Sequence, residues 1–552
     1  MPPTLTALLR SLRANFSTPG LLLGALFYAA SLTPSLLPRE PFMQGPLTGA
    51  SLAAGYAIGV LLSWIWRQLE LPLPERRLEG WLKLTAGLVC LAAVVAFAWR
   101  AAEWQNSVRR LMDLPPAETA YPLQVALIAI LVFLVLKSLG LLFARIWLFL
   151  SRRMKRLMPR PVARLVGFAL TAFLFWWVAS GVLFEQALRV ADSSFQELDQ
   201  RIDPETQRPA NPLKTGSDAS LVDWELLGSR GRQFVVSGPG AAEIGAFFGT
   251  PALEPLRIYV GLNSRETAEQ RAELAFEEML RVGAFERSAL VVVVPTGTGW
   301  IDPAALDTLD YLHRGDVASV ALQYSYLSSW LSLLAEPGYG AEAGRALFRV
   351  VYDHWTALPQ DARPRLYLHG LSLGAMNSES STDLYDVVAD PFDGALWAGP
   401  PFSTSQWRRV TAERQPDSPA WLPRFRDGSI IRFANQETTL GQQGGDWGPM
   451  RIGYLQYASD PVTFFDPYAF LREPAWMRGE PGPDVSPDLR WFPVVTMLQL
   501  AFDMAVATTS PIGHGHVYAP DHYIDAWIEI TEPPAIDAAT LERLKDHFRS
   551  RF

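Results

Sequence analysis

The residue with the clearest potential for chemistry is Ser372, in the run Gly370-Leu371-Ser372-Leu373-Gly374. A β-rich run, RLYLH, precedes this pentapeptide and a helix-compatible stretch follows it, which is the setting of a nucleophile elbow. The strained turn of such an elbow needs small residues two positions before and two after the serine, and both positions hold glycine here. We therefore predict a nucleophile, with a glycine-rich turn without chemistry as the alternative.

A serine hydroxyl needs a base and an acid that orients the base. After such an elbow the acid and then the histidine follow in the chain. Asp460 comes directly after the predicted strand IGYLQYA and is our choice for the acid, with an Asp-Pro turn as the alternative. Three carboxylates are weaker rivals because they are less clearly placed at a strand end: Asp446, Glu437 and Asp466.

The base is expected among the 7 histidines, three of which cluster late in the chain, at His514, His516 and His522. His514 and His516 belong to the run GHGHVY, a loop before a predicted final helix, Tyr523–Ile530. We choose His516 as the base and keep His514 as the alternative. Metal binding competes with this interpretation, but the pair lacks an obvious third ligand and no H-E-x-x-H pattern is present. We therefore expect neither a metal site nor a cofactor.

The oxyanion formed at the substrate carbonyl needs backbone donors. We expect them from Leu373 and from Thr296 and Gly297 in the loop PTGTGW, where glycines permit close backbone approach. This loop lacks the lysine of a phosphate-binding G-x-x-x-x-G-K-[ST] motif, which excludes a P-loop. Trp300 is predicted to line the substrate pocket, and His369 to pack beside it or tune it.

These residues must be positioned by the last ~360 residues, where short β-rich runs alternate with helical patterns. Continuous apolar strands separated by helices indicate a mostly parallel sheet with helices on both faces. The predicted strands are Leu256–Leu262, Ala289–Pro295, Val317–Tyr324, Arg365–His369, Gly394–Ala398, Ser429–Ala434 and Ile452–Ala458. Besides the final helix, the predicted helices include Ser264–Val282 and Ala341–Ala357.

The first 190 residues contain five apolar stretches suited to a bilayer, which needs about 20 mostly apolar residues per helix. Tryptophan and tyrosine mark several ends, as in an aromatic belt. The first stretch is the weakest because Pro34 interrupts it, and Lys137 lies within the fourth. The stretches are Gly20–Leu37, Leu47–Trp66, Trp81–Trp99, Pro122–Phe143 and Pro161–Phe184.

The charge distribution separates the chain into two parts. Residues 1–190 carry 19 Lys and Arg against 8 Asp and Glu, and the remainder carries 29 against 48, so their net charges are +11 and −19. An acidic remainder argues against nucleic acid as a partner. With 49% apolar and 19% charged residues the chain is not disordered, and its single cysteine, Cys90, excludes an intrachain disulfide.

The lysines and arginines of the short loops predict the orientation. With five spans, the N-terminus and the second and fourth loops share one side and are the most basic, especially in Arg145–Arg160. That side should be cytoplasmic, which places the acidic part outside the cytoplasm. If the first stretch does not span, only the N-terminus changes side.

We therefore expect a transmembrane helical domain over 1–190, a linker and lead-in hairpin over 191–250, and a catalytic domain over 251–552. Two apolar segments in the last part, 323–334 and 491–504, are equally suited to cap a site that faces lipid or to form core helices.

A multi-span N-terminal region is followed, in this order, by the runs TGTGWIDP, LYLHGLSLGA, GALWAGPP, YLQYASDPV and PIGHGHVYAP. In this succession the chain resembles the bacterial integral-membrane alpha/beta-hydrolase family. The resemblance covers nearly the whole chain. It implies an α/β-hydrolase fold and a serine hydrolase in the bacterial inner membrane, with Ser372 as nucleophile, Asp460 as acid and a histidine of the GHGH run as base. The family's elbow tolerates an acidic or aromatic residue before the serine, where this chain has Leu371.

We expect a membrane-anchored serine hydrolase that cleaves a carboxylic ester, preferably a lipidic one, through an acyl-enzyme. Its partners would be the lipid bilayer and the ester substrate. One alternative is an acyltransferase with the same triad, in which an alcohol replaces water. Another is a non-catalytic membrane scaffold, against which the complete Ser–Asp–His order argues.

Overall fold

The computed structural model describes residues 16–72, 75–184, 199, 206–327 and 338–552. The chain divides into two compact units, of which the first combines Met1–Glu185 with Phe465–Ala507 and the second combines Gln186–Phe464 with Thr508–Phe552. The described part of the first unit therefore includes a segment from the last third of the sequence. The predictions for 191–198, 200–205 and 328–334 lie outside the described residues.

The N-terminal part of the first unit is helical. Its helices are α1 (Thr18–Ser31), α2 (Pro41–Gln68), α3 (Arg76–Leu111), α4 (Pro122–Met154) and α5 (Arg160–Trp177), which continues as a π-helix, Val178–Phe184. Among the described residues, four helices are long and apolar enough to cross a membrane: Pro41–Gln68, Arg77–Leu111, Pro122–Met154 and Arg160–Gly181.

The first predicted stretch, Gly20–Leu37, is only partly helical. Its helix α1 has 14 residues and ends at Ser31, shortly before Pro34. Proline disfavours helical geometry in the residue before it, so the helix ends early. At 1.5 Å per residue α1 is too short to cross a bilayer core of about 30 Å.

The second unit is built on a seven-stranded sheet with all strands parallel, in the order β1-β3-β2-β4-β5-β7-β6. All seven predicted strands are present, with small differences at their ends. Strands such as ALVVVV are buried along their whole length, as expected where helices cover both faces. The strands are β1 (Leu256–Val260), β2 (Ala289–Val294), β3 (Val317–Leu322), β4 (Arg365–Leu371), β5 (Gly394–Ala398), β6 (Ile431–Ala434) and β7 (Arg451–Leu455).

The helices of the second unit include two that the sequence did not predict. Gly228–Ser237 and Ala241–Phe248 occupy part of the expected linker and hairpin, and at 10 and 8 residues they are too short for a clear periodic pattern. The α-helices are α6 (Gly228–Ser237), α7 (Ala241–Phe248), α8 (Ala268–Val282), α9 (Pro303–Leu312), α10 (Tyr339–Ala357), α11 (Leu373–Glu379), α12 (Leu384–Val387), α13 (Ser405–Ala412), α14 (Pro461–Phe464), α15 (Pro520–Thr531) and α16 (Ala538–Arg551).

The sheet brings the predicted site residues to one edge. β2, β4, β5 and β7 are consecutive neighbours in the sheet. Because parallel strands place their carboxyl ends at the same edge, the segments that follow these four strands lie side by side. The register fixes this further, since Leu371 pairs with Ala398 and Ala398 pairs with Leu455.

The segment Phe465–Ala507 packs in the first unit through buried polar contacts of its helix, Val495–Ala505. The carboxylate of Asp503 accepts hydrogen bonds from the hydroxyl of Ser35 and, at 3.1 Å, from the N–H of Leu36. It also faces the Arg39 guanidinium, with 3.9 Å between Nε and Oδ1. Asp503 is fully buried, so these contacts compensate the cost of removing a carboxylate from water.

Replacing Asp503 by Ala should destabilise the first unit by about 3–5 kcal/mol, because Arg39 would remain buried without its counter-charge. The measurement is the thermal unfolding midpoint of the full-length protein in detergent. Glu473→Ala is the matched control, since Glu473 is an exposed carboxylate of the same segment that lies 3.9 Å from Arg478. Equal midpoints for the two variants would contradict the prediction.

Candidate active site

Ser372 lies in a sharp turn between β4 and α11. Its backbone has φ 57° and ψ −127°, a conformation that non-glycine residues rarely adopt. A Cβ on Gly370 would lie 2.3 Å from the carbonyl carbon of Gly374, and a Cβ on Gly374 would lie 2.2 Å from the Val294 carbonyl oxygen. Both flanking positions therefore require glycine, as the sequence predicted. The Ser372 N–H donates to the Ala398 carbonyl at 2.9 Å, which continues the ladder between β4 and β5.

Asp460 is fully buried beyond the end of β7. Its Oδ1 accepts from the N–H of Val462 at 2.8 Å. Its Oδ2 faces three donors: the hydroxyl of Tyr518 at 2.7 Å, the hydroxyl of Thr463 at 3.2 Å and Nδ1 of His516 at 2.7 Å. A carboxylate with donors on both oxygens is held in one orientation.

His516 is the histidine that meets this carboxylate. Its contact to Asp460 through Nδ1 leaves Nε2 as the nitrogen for proton transfer, and among the described residues Nε2 has no hydrogen-bond partner. A Cβ on Gly399 would lie 2.7 Å from Cε1 of the imidazole, so the ring packs against the backbone just beyond β5. That backbone is adjacent to the Ala398 carbonyl that Ser372 contacts. The Ser372 turn and the His516 imidazole thus both adjoin the backbone at the end of β5, and in the part of the chain that the structure describes no hydrogen bond joins Nε2 to Ser372.

The backbone around GHGHVY explains why the second histidine occupies this position. The Gly513 N–H donates to the Val517 carbonyl at 2.8 Å, and the Gly515 N–H donates to the hydroxyl of Ser459 at 2.8 Å. The loop is therefore closed on itself and fixed to the residue before Asp460. His514 pairs with Val517 through the backbone at the closure of this loop.

The predicted oxyanion donors Leu373 and Thr296 differ in whether their N–H groups already have an acceptor. Leu373 is the first residue of α11, so its N–H has no acceptor within the helix and is suited to an oxyanion. The Thr296 N–H donates to the Trp300 carbonyl at 2.9 Å and so helps to close its own loop. The close approach of Gly374 to Val294 brings the start of α11 beside this loop, which also contains Gly297.

The two residues predicted for the substrate pocket have different surroundings. Trp300 is half-buried in the loop after β2. His369 is 1% exposed on β4, its Nδ1 lies 2.7 Å from the Leu396 carbonyl, and its ring packs against Tyr523 and Trp527. Burial lowers the pKa of His369 to about 4, so the imidazole is neutral at pH 7.

Three residues near the predicted triad were missed by the sequence reasoning. Tyr518 donates to Asp460, and Gly399 makes room for the His516 ring. Asp302, buried after β2, accepts from the Ala304 N–H at 3.0 Å and caps α9. Burial raises the pKa of Asp302 to about 7, while Tyr523 and His516 act in the opposite direction. The runs WIDP and HVYAP contain two of these residues, but only tertiary contacts reveal their roles.

Two family models match the chain. One, described as "Alpha/beta-hydrolase family", matches residues 256–544. The other, described as "Alpha/beta-hydrolase family N-terminus", matches residues 32–239. No curated protein and no solved structure matches the chain significantly.

Gly399→Ala should slow the reaction of Ser372 with a fluorophosphonate probe by at least about tenfold, the effect of roughly 1.4 kcal/mol. The new methyl group would overlap the His516 ring, and the φ of 51° is strained for alanine. The measurement is the rate of probe labelling of the full-length protein. Gly445→Ala is the control, because a Cβ there meets nothing within 4 Å. Equal labelling rates for the two variants would contradict the assigned position of the imidazole.

Proposed function

Since the chain belongs to the alpha/beta-hydrolase family, we propose that its second unit is a serine hydrolase that cleaves a carboxylic ester. The observation that carries the proposal is the 2.7 Å contact between His516 Nδ1 and the buried Asp460 carboxylate, at the sheet edge where Ser372 forms the elbow. A serine, an imidazole oriented by a carboxylate and a helix N-terminus behind the serine are the groups that acyl transfer requires.

In the proposed reaction the Ser372 hydroxyl oxygen attacks the ester carbonyl carbon, and Nε2 of His516 takes the hydroxyl proton. Asp460 stabilises the imidazolium that forms. The Leu373 N–H, at the positive end of α11, stabilises the oxyanion. Collapse of the intermediate breaks the ester C–O bond, and His516 returns its proton to the leaving alkoxide.

The acyl-enzyme is then cleaved by water along the same route. His516 removes a proton from water, the resulting hydroxide attacks the acyl carbon, and the Ser372 oxygen leaves with the proton from the imidazole. The carboxylic acid is released and the free serine is restored.

We propose that the ester is lipidic because the same chain has four helices long and apolar enough to cross a membrane. A catalytic unit tethered to a bilayer meets membrane lipids at a high effective concentration. The basic segment Arg145–Arg160 precedes the last of these helices, Arg160–Gly181. On the positive-inside rule we propose that the second unit lies outside the cytoplasm, and that the helices cross the inner membrane of a bacterium.

Ser372→Ala should abolish probe labelling and lower kcat on a p-nitrophenyl ester by about 10⁶-fold, as in other triad enzymes, while the protein still folds and inserts. His516→Ala should be equally damaging, and His514→Ala should cost much less, because His516 contacts Asp460. Larger loss in the His514 variant would transfer the role of base. Retained labelling of Ser372→Ala would move the nucleophile, and unlabelled wild-type protein would favour a scaffold.

The topology has its own test. Alkaline phosphatase fused after Asp192 should be active in a bacterial host, because the helix after the basic segment carries the following chain outward. A fluorescent protein that matures only in the cytoplasm should stay dark at the same position. The opposite pair of results would place the second unit, and its substrate, on the cytoplasmic side.

A further inference from the structure

The first unit contains a cleft of about 590 Å³ that shares no residue with the proposed catalytic site. Its walls come from the end of α1, the segment before and at the start of α2, the C-terminal third of α3, and the segment that leads into α4 with the first turn of that helix. The cleft therefore lies where α2 and α4 begin and α3 ends. A volume of this size is typical of sites for small molecules and cofactors.

One part of the wall carries buried polar atoms. Arg39 and Gln44 both line the cleft and are only 8% and 6% exposed. Arg39 Nη2 donates to the Thr33 carbonyl at 3.0 Å, and Nε lies 3.9 Å from the Asp503 carboxylate, which supplies the counter-charge. Among the described residues, Nη1 of Arg39 and Oε1 of Gln44 have no hydrogen-bond partner. Buried polar atoms are normally satisfied, so one donor and one acceptor remain here for a ligand that offers both.

Two helix N-termini face the same cleft. α2 begins at Pro41 and α4 begins at Pro122, and neither N-cap residue, Glu40 or Tyr121, caps its helix with a side chain. Pro41 and Pro122 have no N–H, and in α2 the N–H of Met43 donates to the Glu40 carbonyl at 3.0 Å. The second-position N–H groups, of Phe42 and Leu123, have no acceptor within their helices, and each helix end carries a positive partial charge. Together with the half-buried guanidinium of Arg109, which also lines the cleft, these ends favour an anion such as a phosphate group.

Another part of the wall is apolar. Leu32, Ala101 and Val125 form a buried cluster, and Tyr28 and Ala98 pack against it. All five residues line the cleft. A free phosphate would gain nothing from this surface, whereas an acyl chain would bury apolar area on it.

We propose that this cleft binds a zwitterionic phospholipid, with the phosphate near Arg109, Nη1 of Arg39 and the two helix ends, and with an acyl chain on the apolar wall. Glu40 and Glu118 are exposed lining residues, and their carboxylates suit the ammonium of an ethanolamine head group. The proposal rests on the membrane placement of the first unit but not on the catalytic triad.

Native mass spectrometry of the full-length protein released from detergent micelles tests the proposal. The Ser372→Ala variant is used, so that hydrolysis cannot consume the ligand and failure of the proposed catalysis leaves the result unaffected. Four probes are titrated: phosphatidylethanolamine, phosphatidylglycerol, glycerophosphoethanolamine and inorganic phosphate. We expect phosphatidylethanolamine to bind at least tenfold more tightly than each of the other three. Equal binding of phosphatidylglycerol would overturn the zwitterion preference, and equal binding of either soluble probe would overturn the lipid assignment.

Variants then place the bound lipid in the cleft. Ala98→Phe fills the apolar wall and Arg109→Gln removes a half-buried lining cation, so each should weaken phosphatidylethanolamine binding at least tenfold. Gly87→Phe is the control in the same helix, because a Cβ there meets nothing within 4 Å. Thermal midpoints show that each variant is folded. Unchanged binding in Ala98→Phe, or equal weakening in Gly87→Phe, would overturn the site.

The membrane placement is tested separately by washing membranes with carbonate. Release of the protein would overturn that placement.

Discussion

The positions of the candidate site residues in the second unit depend on the backbone conformation of Ser372. A positive φ at a serine costs about 1–3 kcal/mol and persists only where the surrounding structure leaves no alternative. Here Gly370 and Gly374 approach each other and the end of β2 so closely that no side chain fits, and the Ser372 N–H is held by Ala398. The remaining groups are placed relative to this fixed turn.

Much of this arrangement follows from local patterns that a sequence displays. Continuous apolar runs between helical segments predicted the parallel sheet, because strands covered on both faces are apolar throughout. The strand-turn-helix context of Ser372 and the position of Asp460 after a strand predicted where the two residues would lie in the fold. The sequence left the choice between His514 and His516 open. The hydrogen bonds from the Gly513 N–H to Val517 and from the Gly515 N–H to Ser459 fix the loop in which His516 contacts Asp460.

Other features depend on contacts between distant residues and leave no local pattern. No alanine fits at Gly399 because His516 and Tyr518, from a loop more than a hundred residues later, pack on it, and its φ is 51°. In the sequence nothing distinguishes Tyr518 from other aromatic residues that precede a helix. Its role depends on the hydrogen bond from its hydroxyl to Asp460. Pro34 indicated that the first apolar stretch is interrupted, but the sequence did not predict that α1 would end at Ser31, three residues before the proline.

The segment Phe465–Ala507 has a consequence for the evolution and engineering of the protein. It belongs to the first unit, yet it is encoded between the proposed acid and the proposed base. A gene fragment that starts after the N-terminal helices would still encode this segment without Ser35, Leu36 and Arg39, leaving a carboxylate and an apolar helix without their partners. The second unit therefore cannot be excised by a new start site alone, and its isolation also requires an internal deletion between Phe464 and Thr508.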